Sequence, residues 1–152
     1  MTLQVPGSGT HGARMPRGAL ARGSSRFIAG LYRLTGGRTG REALLITTVG
    51  ARSGQGRVAF TRRFEEGDGQ WLIVGSAGGA AWNPGWVHNL AANPDKVWIE
   101  IGRNRFKVRP EILAGDERAA AWKRIVAEAP AFGGYVDKTD REIPVVRLTR
   151  EA

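Results

Sequence analysis

The chain has 152 residues and a formal net charge of +9, with 23 basic and 14 acidic residues. It contains no cysteine and only two histidines, which excludes structural disulfides, thiolate metal sites, cysteine nucleophiles and multi-histidine metal centres. The length is that of one domain with a single core. No apolar run reaches the roughly 20 residues of a membrane span, and no secretory signal is evident, so a cytoplasmic protein is expected.

The positive charge is concentrated in the first part of the sequence. Residues 1–63 hold 11 arginines and one acid, Glu42, whereas residues 64–152 hold 12 basic and 13 acidic residues. This asymmetry predicts an anionic partner for the first part: a nucleic acid, an acidic membrane surface or a polyanionic small molecule.

The chain begins with residues that are poorly suited to folding. Residues 1–24 are rich in glycine, proline and arginine and offer little apolar surface, so a disordered basic tail is expected there. The folded domain is then expected to span residues 25–152.

A short helix is predicted next, capped by Ser24 or Ser25 and running to Thr35. It carries apolar residues on one face, namely Phe27, Leu31 and Leu34. This helix either packs on the rest of the domain or contacts a membrane surface, and packing is the favoured interpretation.

Six β-strands are predicted from runs of β-branched and aromatic residues. They are Ala43–Val49, Arg57–Glu66, Gln70–Ser76, Lys96–Ile101, Arg105–Leu113 and Ile143–Thr149. Glycine-containing turns at 67–69 and 102–104 predict two antiparallel hairpins. In the fourth strand, alternation places Val97, Ile99 and Ile101 on one face.

Two helices are predicted between strands. One begins at Pro84, with Asn83 as its cap, and runs to about Ala92. The other spans Asp116 to Ala129, and its predicted inward residues are Ala119, Trp122, Ile125 and Val126. The whole pattern predicts a mainly β, α+β fold: a six-stranded antiparallel β-barrel with flanking helices.

Two glycine-rich turns are the candidate binding sites. In the first, Arg52, Ser53 and Arg57 together with the amides around Gly54 and Gly56 would form a donor site that suits phosphate. The alternative is an ordinary hairpin turn whose arginines are solvated.

The second turn, residues 75–86, leads directly into a helix whose free amides and dipole attract negative charge. Its small residues would let a flat ring approach the backbone, with Trp82 or Trp86 beside it. No Ser-His-Asp pattern can be placed and both turns lack carboxylates, so a cofactor is expected to supply the reactivity.

Several separated motifs resemble the deazaflavin-dependent nitroreductase family, also known for quinone reduction. They are LITTVGARSG at 45–54, VGSAGG at 74–79, NPGWVHNLAANP at 83–94 and the segment 135–146. The resemblance covers about residues 25–149. It implies a split β-barrel, FMN-binding-like, that binds 8-hydroxy-5-deazaflavin, coenzyme F420. The phosphate and glutamates of that cofactor's tail would account for the one-sided charge.

The resemblance also assigns candidate roles. The phosphate and acidic tail would be held by Arg52, Ser53, Gly54, Gln55 and Arg57. The ring would be lined by Ser76, Ala77, Gly78, Gly79, Asn83, Pro84, Trp86 and Asn89. The implied reaction is hydride transfer to a quinone, nitroaromatic or activated enone. Ser76 and Tyr135 are the candidates for supplying the proton that follows, although Tyr135 alternatively only closes the pocket.

Other interpretations stay open at this point. A related barrel that binds FMN is the closest, and a basic nucleic-acid-binding module is the alternative from another class. Because no aromatic stacking platform is evident, nucleic acid is not the expected partner. The expected partner is a small-molecule acceptor, no metal is expected, and homodimerisation and a location peripheral to the membrane remain open.

Overall fold

The computed structural model describes residues 3–14 and 19–151, with only the backbone described for residues 19–22. Its helices are Ala19–Leu34 (α1), Gly85–Ala92 (α2) and Gly115–Glu128 (α3). Its strands are Ala43–Val49 (β1), Gly56–Arg62 (β2), Phe64–Gly67 (β3), Gln70–Val74 (β4), Trp98–Ile101 (β5), Asn104–Ile112 (β6) and Val145–Arg150 (β7). Short 3₁₀ helices occur at Arg38–Gly40, Ala77–Gly79 and Pro130–Tyr135.

The strands form one antiparallel sheet in the order β2-β1-β5-β6-β7-β4-β3. It curls into a half-barrel, and the predicted hairpins β3–β4 and β5–β6 are confirmed. The mainly antiparallel prediction is therefore confirmed, but this part of the chain contains seven strands rather than six.

The additional strand arises because the predicted strand 57–66 is divided at Arg63. The backbone N–H of Arg63 donates to the carbonyl of Glu42 at 2.9 Å, and its guanidinium donates to the carbonyl of Ala43. The next residue, Phe64, pairs instead with Leu72 of β4. The chain thus changes from one edge of the sheet to the other at this corner.

Two clusters of buried side chains fill the space inside the sheet and beneath α3. Val97 and Ile99 are buried in the first, as their alternation predicts, together with Leu90 of α2. In the second, α3 contributes Ile125 and Ala121. Ala119, predicted to face inward, is exposed, so the buried face of α3 is rotated from the predicted one.

Helix α1 begins at Ala19, upstream of the serines predicted to cap it. It packs through Ala29 and Tyr32, which contact Leu45. The Tyr32 hydroxyl also accepts the backbone N–H of Gly102 at 2.9 Å. The helix therefore packs on the domain as predicted.

The packing face of α1 is not the predicted one. The predicted apolar residues Phe27, Leu31 and Leu34 all lie on the exposed side, and Phe27 and Leu34 have 74% and 80% of their surface accessible. In the part of the chain that the structure describes, no helix is both long and apolar enough to span a bilayer.

Candidate functional site

The first glycine-rich turn is closed by its own backbone. Gly50 N donates to the Gln55 carbonyl at 2.7 Å, and Gly54 N donates to the Gly50 carbonyl at 3.0 Å. Ser53 Oγ accepts the N–H of Gln55 at 3.2 Å. The amide of Gly54 is therefore used within the turn and does not provide the free donor predicted from the sequence.

Other donors of this turn remain available. No ion pair is made by Arg52 or Arg57 with any carboxylate of the described residues, and Arg52 is exposed. The backbone N–H groups of Arg52 and Ser53 likewise have no acceptor within that part of the chain. A Cβ placed on Gly54 would meet nothing within 4 Å, so the turn faces open space. These donors suit an anion.

The second turn has an unusual backbone. Ala77, Gly78 and Gly79 have φ angles of 45°, 63° and 87°, a run of three left-handed residues. Ala77 is the one non-glycine residue with positive φ among those described. This conformation costs an alanine about 1 kcal/mol or more, so the surroundings must hold it in place.

Asn83 has a different role from the predicted one. Its side chain is 3% exposed; Oδ1 accepts from Arg141 Nη1 at 2.9 Å, and Nδ2 donates to the Pro6 carbonyl at 2.6 Å. Helix α2 starts at Gly85 with Pro84 at the cap position and no side-chain cap. The predicted Asn83 cap is wrong because both ends of this amide are engaged elsewhere.

Arg141 contacts the second turn at two further points. Its Nε donates to the Ala80 carbonyl at 2.7 Å and its Nη2 donates to the Ser76 carbonyl at 2.6 Å. It lies within the motif at 135–146, but sequence analysis assigns it no role, because its neighbours Asp140 and Glu142 suggest an ordinary exposed charge.

Residues 3–14, expected to be disordered, lie against the second turn, and we call them the N-terminal strap. Gly9 N donates to the Ala81 carbonyl at 2.7 Å, and Ala13 N donates to the Gly79 carbonyl at 2.9 Å. A Cβ on Gly12 would come within 2.4 Å of the Ala81 nitrogen. Residues 1, 2 and 15–18 of the expected tail lie outside the described residues, and the tail's last residues, 19–24, belong to α1.

The strap is also fixed by a carboxylate. Asp140 accepts from the backbone N–H and the hydroxyl of Thr10, at 2.8 and 2.6 Å. These hydrogen bonds lower the pKa of Asp140 to about 2 because they stabilise its charged form.

Helix α2 connects the two turns. Asn89 accepts the Ala51 N–H at Oδ1 and donates from Nδ2 to Thr48 Oγ1, while Asn93 donates to the Val49 carbonyl. Since a helix rises 1.5 Å per residue, Asn89 lies about 6 Å along the axis from Gly85, which follows the second turn. The two predicted pockets are therefore neighbours.

The two candidate proton donors have free hydroxyls. Neither Ser76 Oγ nor the Tyr135 hydroxyl makes a hydrogen bond with any described residue, and both residues are half-buried. Lys138 joins Tyr135 to the second turn: its Nζ lies 5.5 Å from the Tyr135 ring centroid, and its stem is 3.0 Å from where a Cβ of Gly79 would be.

The remaining predicted ring-lining residues surround the start of α2. Ala77, Gly78, Pro84 and Trp86 are half-buried, and Trp86 packs against the core cluster that contains Leu90. The second turn is thus partly open at Ala77 and Gly78 beside a tryptophan, whereas Gly79 is buried.

Comparison with known proteins identifies the family of this chain. The family model for F420H(2)-dependent quinone reductase matches residues 24–150. The chain belongs to this family. It is therefore an oxidoreductase, and its cofactor is coenzyme F420.

Individual relatives agree with the family. An F420H(2)-dependent quinone reductase of Mycobacterium tuberculosis is 42% identical over 135 residues, which are 82% of this chain and 89% of the relative. The solved structure of an F420-H2 dependent reductase, FDR-A, is 38% identical with a TM-score of 0.63, covering 71% of this chain and 94% of that one. A solved domain-swapped dimer is 34% identical with a TM-score of 0.65, covering 81% and 94%.

The residues present fit this cofactor. The first turn offers two arginines that no described carboxylate neutralises, as an anionic tail requires. The second offers small, partly open residues where a ring would approach the backbone. Neither turn contains an acidic side chain that would repel the cofactor.

Proposed function

We propose that this protein reduces a quinone with F420H2 as the hydride donor. The observation that carries the proposal is the junction at α2, where Asn89 ties an arginine-bearing turn to a glycine-lined turn with a free serine hydroxyl. One long cofactor with an anionic tail and a flat ring fits two such adjacent surfaces.

The cofactor's tail is assigned to the first turn. Arg52 and Arg57 would bind its phosphate and glutamates, with support from the Ser53 hydroxyl and the free amides of Arg52 and Ser53. Two of the predicted residues, Gly54 and Gln55, contribute the shape of the turn, since their amides are already hydrogen-bonded.

The ring is assigned to the second turn. Ala77, Gly78, Gly79 and Trp86 would form its walls. Asn83 and Asn89 act indirectly in this proposal, since their side chains are hydrogen-bonded within the protein. They fix the backbone on which the ring rests.

The reduced cofactor supplies a hydride. A quinone that accepts it carries negative charge on an oxygen, and the Ser76 hydroxyl would donate a hydrogen bond to that oxygen. Tyr135, whose hydroxyl is also unbonded within the described residues, is the proposed source of the one proton that then completes the hydroquinone.

Titration of the purified protein with F420, followed by turnover with the soluble quinone menadione, tests the function. Cofactor binding and quinone-dependent oxidation of F420H2 are expected. Binding of FMN with no binding of F420 contradicts the proposal. Parallel assays with a nitroaromatic and an activated enone establish which acceptor class is preferred.

The second part of the proposal concerns α1, which we propose lies on an anionic membrane surface. Its exposed side presents Phe27, Ile28, Leu31 and Leu34, and exposed arginines are present at Arg26, Arg38 and Arg41. Apolar side chains beside cations suit an anionic bilayer, where lipid-soluble quinones reside. A peripheral location of the protein follows.

Cosedimentation with vesicles that contain anionic lipid tests this contact. Replacing Phe27 and Leu34 together by Ser should abolish binding, while replacing the exposed Gly30 of the same side by Ala, which removes no apolar side chain, should not. If the double variant changes the oligomeric state in solution and leaves vesicle binding intact, the apolar face is a dimer contact and the membrane proposal is wrong.

We also propose one folded domain for the described chain, with a split-barrel architecture of the FMN-binding-like type. The curled antiparallel sheet and the contact of residues 3–14 with the second turn support it.

A further inference from the structure

Arg141 is a buried cation without an anionic partner. Its side chain is 6% exposed, and no carboxylate of the described residues forms an ion pair with it. Its three nitrogens donate instead to uncharged oxygens of Ser76, Ala80 and Asn83.

Arg147 has the opposite kind of partner. Arg147 pairs with Glu66 and Glu111, each at 2.7 Å, and these carboxylates raise its pKa. Burial instead lowers the pKa of Arg141, since its hydrogen bonds bring no compensating negative charge. A guanidinium nevertheless remains protonated at neutral pH, so the site contains a permanent positive charge.

The three contacts bracket the left-handed run of the second turn. Ser76, whose carbonyl accepts from Arg141, precedes the run, and Ala80 follows it. Arg141 also donates to Asn83, which lies two residues before the start of α2, so its hydrogen bonds reach the beginning of that helix. One planar group thereby holds both ends of the backbone that the proposed ring site uses.

We propose that Arg141 is the positioning residue of this site: it fixes Ser76 and holds a buried positive charge behind the turn. The inference rests on the proposed function. A hydride consists of two electrons and one proton. A quinone that accepts it becomes a hydroquinone monoanion, and one further proton completes the hydroquinone. A fixed cation in a weakly screened environment stabilises that monoanion before the proton arrives.

The test separates charge from shape. Arg141→Gln removes the charge and Arg141→Lys keeps it without the planar fork. Arg118→Gln is the matched control, because Arg118 also donates to a backbone carbonyl, that of Ile143, but is paired with Glu142 and lies outside the turns.

Three quantities are measured for each variant: the melting temperature, the affinity for 8-hydroxy-5-deazariboflavin, which lacks the anionic tail, and kcat and KM with menadione. Arg141→Gln should lower both ring affinity and kcat about tenfold, with KM for menadione changed less than about threefold. Arg141→Lys should lower ring affinity about threefold and keep kcat within about threefold of the parent. Arg118→Gln should lower only the melting temperature.

Wild-type affinity and turnover for Arg141→Gln overturn the inference, as does an equal loss in Arg118→Gln. An Arg141→Lys variant as slow as Arg141→Gln overturns the role of the charge. If Arg141→Gln does not fold, Arg141→Lys carries the test, and unchanged ring affinity in it is the contradicting result. Failure of the parent protein to bind F420 or reduce menadione concerns the proposed function instead.

Discussion

Asn89 Oδ1 accepts the backbone N–H of Ala51 at 3.0 Å, and this bond attaches α2 to the first glycine-rich turn. The same side chain donates to Thr48 Oγ1 at 3.3 Å. Replacing Asn89 by Ala removes both bonds and should lower the free energy of unfolding by about 1–3 kcal/mol. Chemical denaturation measures this loss, and His88→Ala, on an exposed position of the same helix, should leave stability unchanged.

The Asn89→Ala change should also weaken cofactor binding, because the first turn would no longer be held beside the second. Affinity for F420 should fall more than affinity for the ring alone. A variant that loses stability but binds F420 normally would show that α2 does not align the two turns.

The first turn should bind the tail of F420 through its arginines. Arg52→Ala or Arg57→Ala should each weaken F420 binding by about 1–3 kcal/mol, since each removes a charge-assisted contact. Fluorescence titration at two salt concentrations measures the effect, which should diminish at high salt. Arg41→Ala, an exposed arginine outside the turn, controls for net charge. An equal loss of F420 affinity in all three variants would contradict binding of the tail at the first turn.

The Ser76 hydroxyl should act on the acceptor rather than on the cofactor. Ser76→Ala should reduce kcat about a hundredfold, as expected for loss of one donor to a developing oxyanion, with F420 affinity unchanged. Steady-state kinetics and titration give the two values. A Ser76→Ala variant whose defect is confined to F420 affinity would place this hydroxyl on the cofactor instead.

Tyr135 provides a separate test, because Tyr135→Phe removes only the hydroxyl and preserves the ring that packs against Phe132 at 5.3 Å. If Tyr135 donates the proton, the kcat of this variant should be lower at high pH. If Tyr135 only closes the pocket, the kcat should not change. The melting temperature should stay constant in either case.

The strap should respond to acid through Asp140. Thr10 holds the pKa of Asp140 at about 2, below the ordinary 3.8, so this contact stabilises the folded chain above about pH 4 and the contribution is lost as the pH falls through about 2. Hydrogen exchange at the amides of Gly9 and Ala13 should be slow at neutral pH. Exchange should accelerate in Asp140→Asn, while Asp137→Asn, at a nearby exposed position, should behave as the parent.

Local patterns predicted the parts of this fold that local forces determine. The first strand was predicted at its observed bounds because Ala43–Val49 is a continuous β-forming run that ends at Gly50. The corner at Arg63 was missed because it depends on contacts with Glu42 and Ala43 across the sheet. The pattern of residues within the strand carries no information about those contacts.

Site residues divide in the same way. Turn residues such as Arg52 and Ser76 are visible from motif and composition. The partners of Asn83 are not, because Pro6 and Arg141 lie far from it in sequence. The packing face of α1 could not be predicted either. Phe27 and Leu34 are apolar and were expected to pack, but Tyr32 lies on the side that is buried.

The path of residues 3–14 bears on how this enzyme is prepared for assay. A protein trimmed to the region that the family shares, residues 24–150, would lack the segment that bonds to Gly79, Ala81 and Asn83. Because Gly9 and Gly12 have no room for a side chain there, bulky insertions at these positions would lift the segment away. Kinetic constants obtained from shortened and full-length protein would then describe two differently enclosed pockets.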